Sequence, residues 1–361
     1  MNSRISTRGT VRYVRNLKVK EIYRAFGAKE SDVRDVGQRL SKEFHRHVVN
    51  TFSGRIGIYI ALKACNLAAT DEVLIPEHIS SCVVDAIKKV CKPTYNLSNK
   101  TRAMVVFHQF GYPQKMDEIS KIAQEKNLMI VEDCAHSLSS RYKGVRIGSL
   151  GDAAVLSFSK IFPTILGGCL ITDDKRILDF ALKYLRDNKS SFKKICQKLF
   201  LGPTLINAEA KNYLVHHIFA PIVGMTWKYF FDLPNPSDMV CHLILDYLKD
   251  LDHYSRKRRT NLQIMRARLG VGYHSELEDG CEVVPFAVPY LCSDPERMRE
   301  ELRRRNILVG VNYFDMNRNI LSPNFKRVLA LPCHQDLSPS NIEYLLDSLK
   351  EAESRTGTHL T

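Results

Sequence analysis

Along this chain, short runs of consecutive apolar residues alternate with longer stretches in which apolar positions recur every three to four residues, and from about residue 54 the alternation is regular. The runs EVLIP (72–76), AMVVFH (103–108), LMIVED (128–133), AAVLSF (153–158) and GCLIT (168–172) are bounded by turn residues and predict strands. Segments near 55–68, 79–90, 115–126 and 175–186 carry the helical period and predict the connections between them. Strands and helices alternating in this way predict an α/β fold with a largely parallel sheet covered on both faces. Right-handed crossovers then line up the C-terminal ends of the strands along one edge, where open α/β sheets bind ligands.

After about residue 190 the rhythm gives way to a basic and apolar stretch, then to a long helical segment over 239–269. The remainder predicts a strand in VVPFAVPY, a helix in PERMREELRRRN, a short strand in ILVGV and a closing helix that starts at Ser338-Pro339. The domain organisation expected from this is a basic helical arm over 1–50, a large α/β domain over 51–235 and a smaller C-terminal α+β domain over 236–361. No internal repeat is visible.

Composition narrows the class without choosing a function. The chain has 361 residues, 44% of them hydrophobic and 25% charged, which suits two globular domains and excludes disordered, collagen-like and coiled-coil chains. Ten cysteines occur without a CxxC pair, so they read as reduced thiols of a cytoplasmic protein, with neither a disulfide frame nor a metal site expected. The basic N-terminus lacks the apolar core of a secretory signal and reads as an exposed arm. The apolar stretch 213–231 contains His216, His217, Pro221 and Lys228 and reads as a buried or interfacial helix pair, not a membrane span. A net charge of +14 has local concentrations at Arg256-Lys257-Arg258-Arg259 and Arg303-Arg304-Arg305. With no nucleic-acid module beside them, both read as solvated helix faces, and no nucleic-acid partner is expected. Nothing else in the sequence supports a peripheral membrane contact.

Three elements carry candidate chemistry. Ser53-Gly54-Arg55 precedes a helix, whose free N–H groups and positive dipole end suit a phosphate, although a plain helix cap has the same look. Asp133 closes an apolar strand, where a carboxylate either pairs with a protonated pyridine nitrogen or caps a loop, and His136 follows three residues later. Ser157-Phe158-Ser159-Lys160, with Gly167-Gly168 beyond, offers a hydroxyl for a phosphate and a lysine that can react with an aldehyde if the site encloses it.

In this order, Ser53-Gly54, the strand end at Pro76, the run IVEDCAHSLSSRYKGVRIGSLGDAAVLSFSK and the Lys160-to-Gly167 spacing resemble the DegT/StrS family of fold-type I aminotransferases acting on sugar nucleotides. ALPCHQDLSPSNIEYLLDSL is similar to that family's closing signature. The resemblance covers 50–185 strongly and 240–350 more loosely. It implies pyridoxal 5'-phosphate as cofactor, held covalently by Lys160, with Asp133 at the pyridine nitrogen, His136 at the ring, and Ser157, Gly54 and Arg55 at the phosphate. It also implies amino transfer, usually from glutamate, to a nucleotide-linked keto-sugar, in surface polysaccharide or secondary-metabolite sugar synthesis, by a homodimer.

The chain departs from the family pattern at several places. Ser80 stands where a ring-stacking aromatic is usual, which leaves His78 as an alternative, and Arg55 replaces a small residue. The Ser157-to-Lys160 spacing is short, LRDNKSS replaces a histidine-glycine pattern, and 190–235 is unlike the usual substrate segment. A PLP enzyme of the same fold with another substrate or reaction, and a non-catalytic protein binding through its basic surface, are the alternative readings.

Overall fold

The structure, a computed structural model, describes residues 21, 24–25, 27–164, 166–189, 233–269 and 280–357. Residues 1–20 of the expected basic arm, and nearly all of the 190–235 segment with its apolar stretch 213–231, lie outside the described residues.

In chain order the helices are α1 (Glu30–Phe44), α2 (Gly54–Ala64), α3 (Ser81–Lys88), α4 (Met116–Lys126), the single-turn α5 (Phe158–Ile161), α6 (Lys175–Asp187), α7 (Asp238–Lys249), α8 (Leu251–Leu269), α9 (Pro295–Arg304) and α10 (Pro339–Thr356). The strands are β1 (His47–Thr51), β2 (Glu72–Leu74), β3 (Lys92–Thr94), β4 (Thr101–Phe107), β5 (Met129–Asp133), β6 (Arg141–Tyr142), β7 (Val145–Arg146), β8 (Ala153–Ser157), β9 (Gly168–Thr172), β10 (Ala287–Leu291), β11 (Gly310–Asp315) and β12 (Phe325–Pro332).

Seven strands form the main sheet in the order β1-β9-β8-β5-β4-β2-β3. From β8 across to β3 all pairings are parallel, and β9 runs antiparallel to both β8 and β1, so the α/β class and the mostly parallel sheet are as expected. The central strands are nearly continuous apolar runs because helices cover both of their faces. A second sheet, β10-β12-β11, is antiparallel. Its own hydrophobic cluster includes Tyr290, Phe314, Leu329, Leu345 and Leu349, separate from the cluster around the large sheet.

Several elements differ from the sequence expectation. His47–Thr51, inside the stretch expected to be a helical arm, is the edge strand β1, paired over five residues with β9. β3 contains Pro93, which an edge strand tolerates because one side needs no donor. β12 lies in the middle of the small sheet, paired with β10 on one side and β11 on the other. The long helix over 239–269 is two helices that break at Asp250, whose amide bonds back to Tyr247 while α7 turns its apolar face to the large core.

Candidate active site

β1 and β8 both run antiparallel to β9, so they run parallel to each other and end at the same edge as β5. Thr51, Ser157 and Asp133 are the last residues of these three strands, and a cleft of about 1110 Å3 opens beside them. All six residues singled out in the sequence, Gly54, Arg55, Asp133, His136, Ser157 and Lys160, line this cleft. A second hollow, of about 750 Å3 between α1 and α6, contains none of them.

Close approach fixes the start of α2. A Cβ on Gly54 would lie 3.0 Å from the Leu156 carbonyl, and one on Gly168 would lie 2.3 Å from the Gly54 nitrogen. Only a bare backbone lets the helix start settle over the ends of β8 and β9. Ser53, the N-cap residue, is buried, and among the described residues its Oγ has no hydrogen-bond partner. An unpartnered buried hydroxyl at a helix N-terminus is a donor in want of an acceptor. Arg55 is half-buried in the same wall; burial lowers its pKa, and the charges of Cys82 and Asp85 act against that.

Asp133 is held at the end of β5 by a knot of buried polar groups. Glu132, its neighbour, accepts hydrogen bonds from His108 Nε2 and from the amides of Gly148, Leu150 and Gly151. Burial alone would raise the Glu132 pKa, but the His108 bond and the Gly148 and Gly151 amides bring it below the ordinary value. His108 Nδ1 accepts from the Gln114 amide, so Nε2 carries the proton that it donates to Glu132. The knot leaves Asp133 aimed into the cleft at 4% exposure, with one oxygen accepting from the Ala135 amide. Burial pushes its carboxyl up to about 6, although the Ala135 bond, His108 and Lys160 pull the other way.

His136 sits among aromatic rings. Phe286 stacks on it at 4.3 Å, and Phe107 and Phe110 approach at 4.9 and 5.9 Å. Its Nδ1 accepts from the Phe110 amide, so the neutral ring carries its proton on Nε2. Burial, with the charge of Lys160, holds its pKa well below the ordinary histidine value. Phe110 presents that amide from a left-handed backbone conformation (φ 54°), a strain that the surrounding contacts must hold.

Lys160 stands on α5, directly after β8, and its charge acts on both Asp133 and His136. The sequence reading expects this lysine in an enclosed site, whereas here it is exposed in an open cleft. The ring-stacking alternative also takes a different form. Ser80 is exposed as the N-cap of α3, and His78 lies face to face with Tyr313 of β11 at 3.7 Å and 4°. The Gln109 side chain donates to the Tyr313 carbonyl, so large and small sheets meet across the cleft. Phe110, Phe286, Gln109 and Tyr313 were not picked out from sequence. Only their place in the fold identifies them.

These residues fit pyridoxal phosphate. An orphaned Ser53 hydroxyl, a glycine-lined helix start and Ser157 suit the phosphate; Asp133 suits a protonated ring nitrogen; Lys160 suits the aldehyde. Among the described residues His108, Glu132 and Cys134 also lie close enough together to hold a metal ion, but the His108 and Glu132 polar atoms are taken up in the knot below Asp133. No helix among the described residues is long and apolar enough to cross a membrane.

A model of the DegT/DnrJ/EryC1/StrS aminotransferase family matches residues 38–350. GDP-perosamine synthase of Escherichia coli O157:H7 is 29% identical over 178 residues, 44% of this chain and 49% of that protein. UDP-4-amino-4,6-dideoxy-N-acetyl-beta-L-altrosamine transaminase of Campylobacter jejuni is 24% identical over 262 residues, 66% of this chain and 62% of that protein. The matches thus span about half to under two thirds of these relatives. Among solved structures, the aminotransferase TlmJ of Streptoalloteichus hindustanus superposes with a TM-score of 0.75 at 18% identity, covering 96% of this chain and all of its own. The putative sugar aminotransferase Spr1654 of Streptococcus pneumoniae, in its PLP form, gives 0.73 at 16% identity over 96% of this chain and 99% of its own. At such identity the likeness is one of fold.

Proposed function

Since the chain belongs to the DegT/DnrJ/EryC1/StrS aminotransferase family, we propose that it is a pyridoxal-phosphate-dependent aminotransferase moving an amino group from an amino acid, glutamate by preference, to a nucleotide-linked keto-sugar. The observation that carries this reading is the convergence of Lys160, Asp133 and His136 in one cleft with a helix start whose Ser53 hydroxyl lacks a partner among the described residues. Names of relatives that act on GDP- and UDP-linked sugars support the substrate class.

Bound pyridoxal phosphate supplies an electron sink for negative charge at the carbon that loses its proton. The amides at the start of α2, with Ser53, Arg55 and Ser157, would hold the phosphate. Asp133, ionised above pH about 6, would keep a proton on the ring nitrogen. Neutral His136, backed by Phe286, closes one wall and limits the water beside Asp133. The Lys160 amine would hold the aldehyde group and, as a free amine, could accept and return a proton at the substrate.

A homodimer belongs to the same proposal, supported by the exposure of Lys160, which a second chain across the cleft mouth would cover. So do a cytoplasmic location, supported by the free cysteines, and a role in sugar synthesis for surface polysaccharides or secondary metabolites. We also propose the division into a large domain and a smaller one near residue 236, supported by the two hydrophobic cores, with α7 crossing back to the larger one.

The deciding experiment is the absorbance spectrum of the purified protein with pyridoxal phosphate, before and after glutamate, beside Lys160→Ala. A visible band that glutamate removes and that the variant lacks supports cofactor, lysine and donor together. A colourless wild type rejects the reading, and a band indifferent to glutamate rejects the donor.

A further inference from the structure

Arg258 belongs to a run of four cations that the sequence assigns to a solvated helix face, and the structure corrects that assignment. Arg256 is exposed, Lys257 and Arg259 are half-buried, and Arg258 is only 3% exposed. Its Nε donates to Gln335 Oε1 at 2.8 Å, and its two terminal nitrogens donate to the Pro285 carbonyl at 2.8 Å and the Ile161 carbonyl at 3.2 Å. Burial lowers its pKa to about 10, with Cys333 and Asp336 opposing, so it remains a cation at neutral pH. A buried cation resting on three neutral acceptors is a poor device for stability alone.

The acceptors come from three separate segments. Ile161 ends the single-turn helix that carries Lys160, and the last carbonyls of a helix have no partner within it. Arg258 supplies the partner for that one. Pro285 precedes Phe286, whose ring stacks on His136 and whose amide donates to the Phe110 carbonyl. The one peptide group that joins Pro285 to Phe286 is thus pinned at both ends, its carbonyl by Arg258 and its amide by the Phe110 carbonyl. Gln335 lies just after β12, in the connection to α10, and ties the small sheet to the same guanidinium.

We infer that Arg258 is a positioning residue whose planar fork sets, through the Ile161 and Pro285 carbonyls, where the Lys160 amine and the Phe286-backed His136 ring stand in the cleft. Arginine suits this task because its donors point in fixed, divergent directions, whereas a lysine is a single mobile point donor. The inference rests on the proposed role of Lys160 as the cofactor-bearing residue.

The test compares Arg258→Lys and Arg258→Met with Arg259→Lys, a neighbour paired with the half-exposed Glu282, as control. Three quantities are read: the rate at which trinitrobenzenesulfonate labels Lys160 in the cofactor-free protein, by mass spectrometry; the concentration of pyridoxal phosphate that half-saturates the visible band, with the pH midpoint of that band; and the melting temperature. Both Arg258 variants are expected to change Lys160 labelling severalfold and to weaken cofactor binding by roughly tenfold or more, with a displaced pH midpoint, while the control changes none of these. Wild-type labelling and midpoint in the Arg258 variants, whatever their melting temperature, would overturn the inference and leave Arg258 a structural residue. If Arg258→Met does not fold, Arg258→Lys decides. A wild type with no band rejects the cofactor reading instead, and Lys160 labelling then decides the positioning role by itself.

Discussion

Phe286 lies almost parallel to His136, with 4.3 Å between ring centroids and 20° between planes, and the imidazole Nδ1 accepts a hydrogen bond from the Phe110 backbone amide. The packing and the hydrogen bond act together. One removes water from the ring, and the other fixes a neutral tautomer with the proton on Nε2.

His136 is therefore expected not to titrate across the physiological range. Nitrogen NMR of histidine-labelled protein should show an unprotonated Nδ1 and a protonated Nε2 at the ordinary histidine value near 6.5, where a free imidazole is half protonated. Phe286→Ala should let water reach the ring and bring the transition up towards that value. A His136 signal that already titrates near 6.5 in the wild type would contradict the burial argument.

Asp133 gives a stability prediction with a defined sign. Burial, opposed by the Ala135 amide, His108 and Lys160, raises its folded-state pKa from 3.8 to about 6, so between these values the folded chain binds more protons than the unfolded one. Stability from this group rises as pH falls from about 6 towards 4, and ionisation above 6 costs stability. Asp133→Asn keeps an oxygen for the Ala135 amide and should stabilise the cofactor-free protein at pH about 7.5 by on the order of 1–3 kcal/mol, while amino transfer is lost. Urea unfolding should show a smaller gain at pH about 5. Equal gains at both pH values would refute the assignment.

Glu132 has the opposite sign. Despite its burial, the His108 bond and the backbone amides hold its pKa below the ordinary value, so its stabilising contribution is complete above the unfolded pKa near 4.5 and is lost as pH falls through the folded one. Glu132→Leu strands His108 and three amides without an acceptor and should cost about 3–5 kcal/mol at neutral pH. Denaturant midpoints should show this difference narrowing in acid. A constant difference down to pH about 3 would argue against an ionised Glu132.

Gly168 tests the close approach under the helix start. In Gly168→Ala the new methyl would meet backbone atoms of Gly54 and Ser53 at 2.3 and 2.5 Å, so α2 must move away from the ends of β8 and β9. Affinity for pyridoxal phosphate should fall roughly tenfold or more, with little change in helix content by circular dichroism. Unchanged affinity in a folded variant would place the phosphate elsewhere.

What the sequence by itself determined were features written in short windows. Five apolar runs became strands, the 3.6-residue period marked helices, and Asp133, Ser157 and Lys160 could be placed because each lies in or beside such a run, and Gly54 because it opens a helical segment. Tertiary structure decided whatever depends on partners far along the chain. β1 is a strand through its pairing with β9, and β12 is central through pairing on both sides. Arg258 looks like any surface cation in its helix, yet it is buried because an acceptor 97 positions away, at Ile161, comes to rest beside it. Phe286 likewise becomes a wall of the site only when the fold brings it to His136. The physical reason is that periodicity and turn chemistry act over a few residues, whereas burial and hydrogen-bond satisfaction depend on which distant segment fills the space.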